Sequence, residues 1–161
     1  MSRRDLSAEL ITLLPRLRRF ARALTRNPHD ADDLVQVALE RALARAHQLR
    51  SDAASAAWVF GILRHAWIDE LRARARSERV FAPEESGQHV GDAGQGAQAE
   101  MLAVQDAMVR LPEEQRIAVA LVLVEGFSYK EAAHVMEVPI GTLTSRLARG
   151  REALQKMLGE S

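Results

Sequence analysis

The sequence predicts an all-α chain made of two small helical domains joined by a flexible acidic linker. Three observations predict it. Leu, Ala, Arg and Glu, all strong helix formers, dominate the 161 residues. There are only two Trp, one Tyr and four Phe, and no sustained alternation of β-branched residues argues for strands. Charge is also segregated along a chain whose 22 basic and 22 acidic groups cancel. Residues 1–76 carry a net +5, residues 77–98 a net −3 and residues 99–161 a net −2.

The first segment reads as three helices. Leu6, Leu10, Leu13, Leu14, Leu17, Phe20, Ala21 and Leu24 recur at helical spacing. Pro15 interrupts them, which predicts either a kink or a short helix that stops before a main one. Asn27-Pro28 is a cap followed by a first-turn proline, and Asp30, Asp32 and Asp33 suit the positive end of the helix it opens. Ala31, Leu34, Val35, Ala38, Leu39, Ala42, Leu43 and Ala46 form that helix's apolar stripe. Residues 48–55 are small and polar, a loop. A third helix is expected from about Ala56 to Ala75, with Val59, Ile62, Leu63, Ala66 and Leu71 inward.

The stretch SERVFAPEESGQHVGDAGQGAQ (77–98) holds four Gly, one Pro and few apolar residues. It has too little to bury to offset its ordering entropy, so it reads as a linker; the alternative is a surface loop inside one domain, uncommon at this length. Four helices follow. The first spans roughly 99–110 and is broken by Leu111-Pro112-Glu113; the second reaches about Val124; Glu125-Gly126-Phe127 is a turn. Ser128-Tyr129-Lys130-Glu131 matches the capping box, in which hydroxyl and carboxylate satisfy each other's backbone N–H groups. It opens a short helix carrying Ala132, Ala133, Val135 and Met136. The turn Glu137-Val138-Pro139 leads to a last helix starting at Pro139 or Ile140, with Ile140, Leu143, Leu147, Leu154, Met157 and Leu158 on its inner face.

The composition excludes several function classes. With no cysteine, the chain has no disulfide scaffold, thiol nucleophile or Cys-based zinc site. No apolar run approaches the roughly 18 residues of a membrane-spanning helix, and no apolar stretch follows the N-terminal charges as in a signal peptide. No membrane insertion is expected, and the expected location is the cytoplasm. His29, Asp30, Asp32 and Asp33 are close in sequence, but 30, 32 and 33 share a helix face poorly, and aspartates at a helix start ordinarily serve the dipole. With no nucleophile–base pairing and no phosphate-binding Gly loop, no enzymatic activity and no cofactor are expected.

Two features point to nucleic acid. A short capped helix, a tight turn and a longer basic helix make the C-terminal domain a helix-turn-helix. Thr142, Ser145 and Arg149 lie opposite the apolar stripe of the last helix, with Arg146 on one flank and Thr144 and Ala148 on the other. Residues 139–156 carry a net +3 inside a domain of −2. Hydroxyls and arginines so placed can reach base edges and phosphates in a major groove, although the same charges also describe a solvated amphipathic helix. The third N-terminal helix is the second feature. Arg64, His65, Arg72, Arg74 and Arg76 are interleaved with Trp58, Phe60 and Trp67. Rings for stacking beside arginines for phosphates suit single-stranded nucleic acid; the alternative makes the two Trp core anchors, the reading preferred for Trp58.

Four segments together resemble the extracytoplasmic-function (ECF) sigma factors of bacterial RNA polymerase, sigma-70 family. They are DADDLVQVALERAL (30–43), AWVFGILRHAWIDELRARAR (57–76), LPEEQRIAVALVLVEGFSYKEAAHVMEVP (111–139) and IGTLTSRLARGREAL (140–154). Each is weak alone; four in order around an acidic linker are specific. FSYKEAA looks closest to the subgroup serving general stress responses. The resemblance implies region 2 in 1–76 and region 4 in 99–161, with 77–98 threading the polymerase between them. It implies docking on the polymerase core, through the β′ clamp helices and the β flap, with Asp33, Leu34, Gln36, Glu40 and Arg41 matching the clamp-binding surface. Leu49, Arg50, Ser51, Asp52 and the rest of the loop to Ser55, together with His65, match the part that captures a flipped base of the melted −10 element. Arg64, Arg72 and Arg76 join that surface. The family usually has Asn where His65 stands, which bears on the identity of the base. Thr144, Ser145, Ala148 and Arg149 fall on positions that read the −35 duplex, with Thr142 beside them and Arg146 as a phosphate contact; Lys or Arg is common where Thr144 stands. Glu137 occupies the turn position where many such motifs have a left-handed Gly, which costs roughly 1 kcal/mol if its φ is positive.

The implied partners are core polymerase, promoter DNA and an anti-sigma factor that covers the polymerase-binding surfaces. A free chain of this kind can also pack its two domains together. The implied mechanism combines two modest DNA contacts tethered by polymerase at fixed spacing. An ordinary helix-turn-helix regulator, acting as a dimer on a palindrome without core polymerase, is the alternative; segments 30–43 and 57–76 argue against it. A sigma-like decoy that only binds an anti-sigma factor normally carries a receiver domain, for which there is no room.

Overall fold

The chain, as a computed structural model, is described over residues 3–25, 27–49, 55–78 and 97–159. All regular structure among these residues is helical. The first half comprises α1 (Arg3–Thr25), α2 (Pro28–Ala44), a 3₁₀ turn (Ala46–Gln48) and α3 (Ser55–Glu78). The second comprises α4 (Ala97–Arg110), α5 (Glu113–Val119), a π-helical turn (Ala120–Val124), α6 (Tyr129–Met136) and α7 (Ile140–Gly159). The expected linker therefore loses residues 77–78 to α3 and 97–98 to α4; residues 79–96 lie outside the described residues.

Local signals account for most boundaries. The Asn27 side chain accepts hydrogen bonds from the backbone N–H of His29 (2.8 Å) and Asp30 (3.3 Å), and Pro28 fills the first turn, where a missing N–H costs nothing. At α6 both halves of the capping box form: Glu131 N–H donates to Ser128 Oγ (3.1 Å) and Ser128 N–H to Glu131 Oε1 (2.9 Å). Pro15 corrects the expectation of a stop, because α1 runs through it from Arg3 to Thr25. Pro15 is exposed, and Ile11, whose carbonyl loses its intrahelical donor there, is 67% exposed, so water can serve that carbonyl.

In the first half α1 packs on α2 and α2 on α3. Leu6, Leu17, Phe20 and Leu24 share a core with Val59, Phe60 and Leu63, all fully buried, and the Phe20 ring lies 5.1 Å from Phe60. Ala31, Ala38 and Ala42 line α2 with methyl groups, which lets its neighbours approach closely. Each large side chain buried this way contributes roughly 1.5–3 kcal/mol. In the second half α7 packs on α5 and α6. Its buried stripe is narrower than expected: Leu143 and Leu147 are buried and Leu154 half-buried, while Ile140, Met157 and Leu158 stay exposed.

Three features of the second half were not anticipated. Arg116 is buried and donates from Nη1 to the Leu111 carbonyl (2.9 Å), tying down the α4–α5 corner. Gly150 lies so close to α5 that a Cβ there would meet Val119 Cγ2 at 2.7 Å and the Gln115 carbonyl oxygen at 3.3 Å. The helix after Pro112 ends in π geometry, with Glu125 N–H bonded to the Ala120 carbonyl (2.9 Å). A π turn takes up one extra residue and rotates the chain beyond it, a device common at functional positions.

The two halves share one continuous apolar core. α1 touches α4, α5 and the π turn, and α3 lies along α6.

Candidate nucleic-acid interface and the seam behind it

In the helix-turn-helix, α6 ends at Glu137, which adopts the left-handed conformation (φ 58°, ψ 45°). A Cβ-bearing residue there costs roughly 1 kcal/mol, offset by the Schellman-like hydrogen bond of Val138 N–H to the Ala133 carbonyl (3.1 Å). α7 then presents Ser145, Ala148 and Arg149 to solvent. Thr144 is exposed but its hydroxyl donates back to the Ile140 carbonyl (2.9 Å), leaving its oxygen lone pairs for an outside donor. Thr142 is half-buried. Arg146 is half-buried and 3.4 Å from Glu114 of α5, so it is held by its own domain. The hydrogen bonds between Ser128 and Glu131 hold the Glu131 carboxyl below its ordinary range.

The α2 residues expected to dock on the polymerase are mostly exposed. Asp33, Gln36 and Glu40 are exposed, with Asp33 3.8 Å from His29 and the Gln36 amide 3.5 Å from Glu40. Arg41 is half-buried and bonded to Asp69 of α3 (2.9 Å). Leu34 is buried at 6% exposure, on the apolar stripe. Of the loop residues expected to capture a base, Leu49 is half-buried against the core. Arg50, Ser51 and Asp52 fall outside the described residues.

On α3, Arg72 and Arg76 are exposed, Arg64 is half-buried and His65 is exposed. Arg74 bonds Asp30 and Glu70, both at 3.0 Å. The aromatic part of the single-strand reading needs correction. Phe60 is fully buried and Trp67 is 5% exposed, so neither offers a face to a base in this arrangement; Trp58 is half-buried. Phe60 stacks between Phe20 (5.1 Å, tilted) and Phe127 (5.0 Å, edge-on), the latter contributed by the second half. A phenylalanine in a basic helix reads the same from sequence whether it stacks on bases or on a distant ring.

Phe60 thus marks a seam that sequence reasoning missed. Glu125, delivered by the π turn, has a fully buried side chain. Arg19 grips it with two hydrogen bonds, Nε to Oε2 (2.8 Å) and Nη2 to Oε1 (2.9 Å). Arg16 adds Nε to Oε1 (3.1 Å) and Nη2 to the Glu125 carbonyl (3.0 Å), with its guanidinium over Phe60 and Phe127 at 5.3 and 5.1 Å. The hydrogen bonds to Glu125 raise the Arg19 pKa. Trp67 Nε1 donates to Glu113 Oε1 (2.8 Å). His65 Nε2 and Glu137 Oε1 lie 2.5 Å apart; that hydrogen bond, with the charges of His65, Arg64 and His134, holds the Glu137 carboxyl below its ordinary range. Signals for the seam existed as isolated polar residues, but nothing local paired Arg16 with a residue 109 positions away.

Comparison with known proteins accounts for both halves. Residues 10–64 match the sigma2 domain of PhyR and residues 101–154 match sigma-70 region 4. The chain is 35% identical over 154 residues to the ECF RNA polymerase sigma factor EcfG of Rhodopseudomonas palustris, covering 96% of this chain and 85% of that one. It is 42% identical over 144 residues to the ECF sigma factor SigM of Mycobacterium tuberculosis, covering 89% and 71%. The sigma factor RpoE of Bartonella quintana, solved with the anti-sigma factor NepR, superposes with a TM-score of 0.83 at 32% identity over 98% of both chains. PhyRSL of Sphingomonas sp. Fr1, solved in complex with NepR, shares the fold with a TM-score of 0.67 at 24% identity, over 100% of this chain and 92% of that one. Among the described residues no helix is long and apolar enough to cross a membrane. The helix-turn-helix and the family matches converge: the chain belongs to the ECF sigma factors of the sigma-70 family, non-enzymatic proteins that direct transcription initiation with RNA polymerase.

Proposed function

We propose that this ECF sigma factor divides promoter recognition between its halves, with residues 1–76 serving the −10 element, 77–98 linking, and 99–161 serving the −35 element. In this reading Asp33, Gln36, Glu40 and Arg41 of α2 dock on the β′ clamp helices, and Leu34 acts from beneath by fixing that helix's seating. Leu49, Arg50, Ser51, Asp52 and His65 hold a base of the melted −10 strand, with Arg64, Arg72 and Arg76 drawing in its phosphates. Ser145, Ala148 and Arg149 read the −35 major groove, flanked by Thr142 and Thr144. Arg146 reaches a phosphate after exchanging Glu114 for it. Region 4 also meets the β flap. Trapping unpaired bases shifts the closed-to-open equilibrium by differential affinity for single strands. The proposed site of action is the cytoplasm, and the proposed regulator is an anti-sigma factor, as in the complexes its structural neighbours form.

The observation that carries this reading is the exposed row Ser145, Ala148 and Arg149 on the second helix of a helix-turn-helix whose first helix carries a complete capping box. Run-off transcription with purified core polymerase tests it, using DNA upstream of the protein's own gene and scoring core binding on native gels. Transcription that requires the protein, and falls about five- to 150-fold with Arg149→Ala, is the expected result, since one lost bidentate base contact costs about 1–3 kcal/mol. His65→Ala is expected to lower open-complex formation while sparing core binding. Binding to duplex DNA as a dimer, without affinity for core polymerase, would overturn the reading.

A further inference from the structure

Three glutamates of the second half cross the seam, and each meets a donor of the first. Glu113 takes the Trp67 indole, Glu125 takes Arg16 and Arg19, and Glu137 takes His65. The signs match the charge segregation, +5 in residues 1–76 against −2 in residues 99–161. The Glu125 contact differs in kind, because its carboxylate has no exposed surface and is bonded by both arginines.

We propose that Glu125 is a latch: gripped by Arg16 and Arg19, it holds region 4 against region 2 in the polymerase-free chain and keeps His65 capped by the Glu137 turn. The part of this inference that concerns promoter capture rests on the assignment of His65 to the −10 pocket; the latch itself does not.

The physical case has three parts. A buried ion pair contributes little net stability, because desolvation offsets the attraction, but it fixes which surfaces meet. Such a contact closes two domains in one register and can still be exchanged for a larger partner surface. An apolar core continuous between the halves also crosses the seam, with Phe60 edge-on to Phe127 under the Arg16 guanidinium, so a Glu125 carboxylate left unpaired there is a buried charge that works against closure. Finally, the same mutual placement is compatible with regulation. The superposition on anti-sigma-bound RpoE spans 98% of both chains, more than either half supplies. The latch therefore prepays the arrangement that this neighbour adopts with its inhibitor, and lowers what an inhibitor must do to hold it.

The absence of cysteine permits a direct test in the full chain. Cysteines placed at the exposed positions Asp32 on α2 and Gln155 on α7 carry a donor and an acceptor dye, and single-molecule energy transfer reports the distance between halves. Unaltered at the seam, the protein is expected to show one high-transfer population. Glu125→Gln, which keeps the shape but removes the charge, is expected to lose most of that population to lower transfer. The pair Arg16→Gln and Arg19→Gln, at partly exposed positions of α1, is expected to do the same, and all three together to do no more than either. Far-UV circular dichroism separates opening from unfolding; if Glu125→Gln loses helix, the arginine pair decides the matter. High transfer retained in the arginine pair, or low transfer in the starting protein, overturns the latch. Since no polymerase or promoter is present, either result leaves the transcription assay to judge the −10 assignment separately.

Discussion

Gly150 offers a test of how tightly region 4 is packed. A methyl group added there arrives 2.7 Å from Val119 Cγ2 and 3.3 Å from the Gln115 carbonyl oxygen. Ordinary carbon–carbon contact begins near 3.5 Å, so α7 and α5 must separate by several tenths of an ångström or more. Val119 is 2% exposed and β-branched, with no freedom to swing aside. Overpacking of this kind costs about 1–3 kcal/mol. Opposing it, Ala in a helix interior is favoured over Gly by about 1 kcal/mol. The expected net effect of Gly150→Ala is a loss of about 1 kcal/mol, read as a lower urea midpoint with an unchanged slope. Val119→Ala alone creates a small cavity and is also destabilising. Combined with Gly150→Ala it supplies the missing room, so the double variant is expected to be more stable than the sum of the two losses, with a coupling of at least about 0.5 kcal/mol. A Gly150→Ala chain as stable as the parent, with additive behaviour in the cycle, would refute the argument that this glycine exists for close approach.

Further expectations concern caps and charges. Ser128→Ala removes the hydroxyl half of the capping box and should cost about 1 kcal/mol, visible in a thermal melt, whereas Ser128→Asp should retain most of the stability. Glu137→Gly relieves the left-handed turn but gives up an exposed pair with His65, and the turn is the larger effect. The expected stability order is Gly at or above Glu, and Glu above Ala, which keeps the strain and loses the pair; a melt in which Ala ranks first would contradict it. Acid sensitivity follows from Glu131 and Glu137, whose folded-state pKa values lie below their unfolded ones. Their stabilisation is complete above the unfolded carboxylate value, about 4.3, and is lost as pH falls through the folded values. Urea midpoints measured from pH 6 to pH 3 should hold steady and then drop below about pH 4.5. The drop should shrink in Glu131→Gln and at high salt, since both groups are exposed.

The local parts of this structure were legible because their signals are local. Asn27-Pro28 announces α2 by its own chemistry, and Ser128 with Glu131 announces α6, since cap and partner are three residues apart. The turn position of Glu137, where many helix-turn-helix motifs have a left-handed Gly, raised a positive φ as an open question, and the structure answers it at 58°. Pro15 was ambiguous for a physical reason: whether a helix survives a proline depends on whether water reaches the orphaned carbonyl, which depends on which face is buried. The π turn had no signature either, because Ala120–Val124 is as good an α-helix as a π one until Glu125 has something to reach.

The same division runs through the candidate site. Helical periodicity, capping chemistry and charge clustering determined by themselves that the chain is all-helical and that Ser145 and Arg149 share an outward face, though Thr142, placed with them, is half-buried. Those properties depend on residues within a few turns of one another. Only the tertiary structure decided that Phe60 and Trp67 are buried, that Arg146 is held by Glu114, and that Gly150 is where two helices nearly touch. Only it paired Glu125 with Arg16 and Arg19. The choice among many chemically equal arginines is made by which surfaces fold together, a property of the whole chain that no local pattern contains.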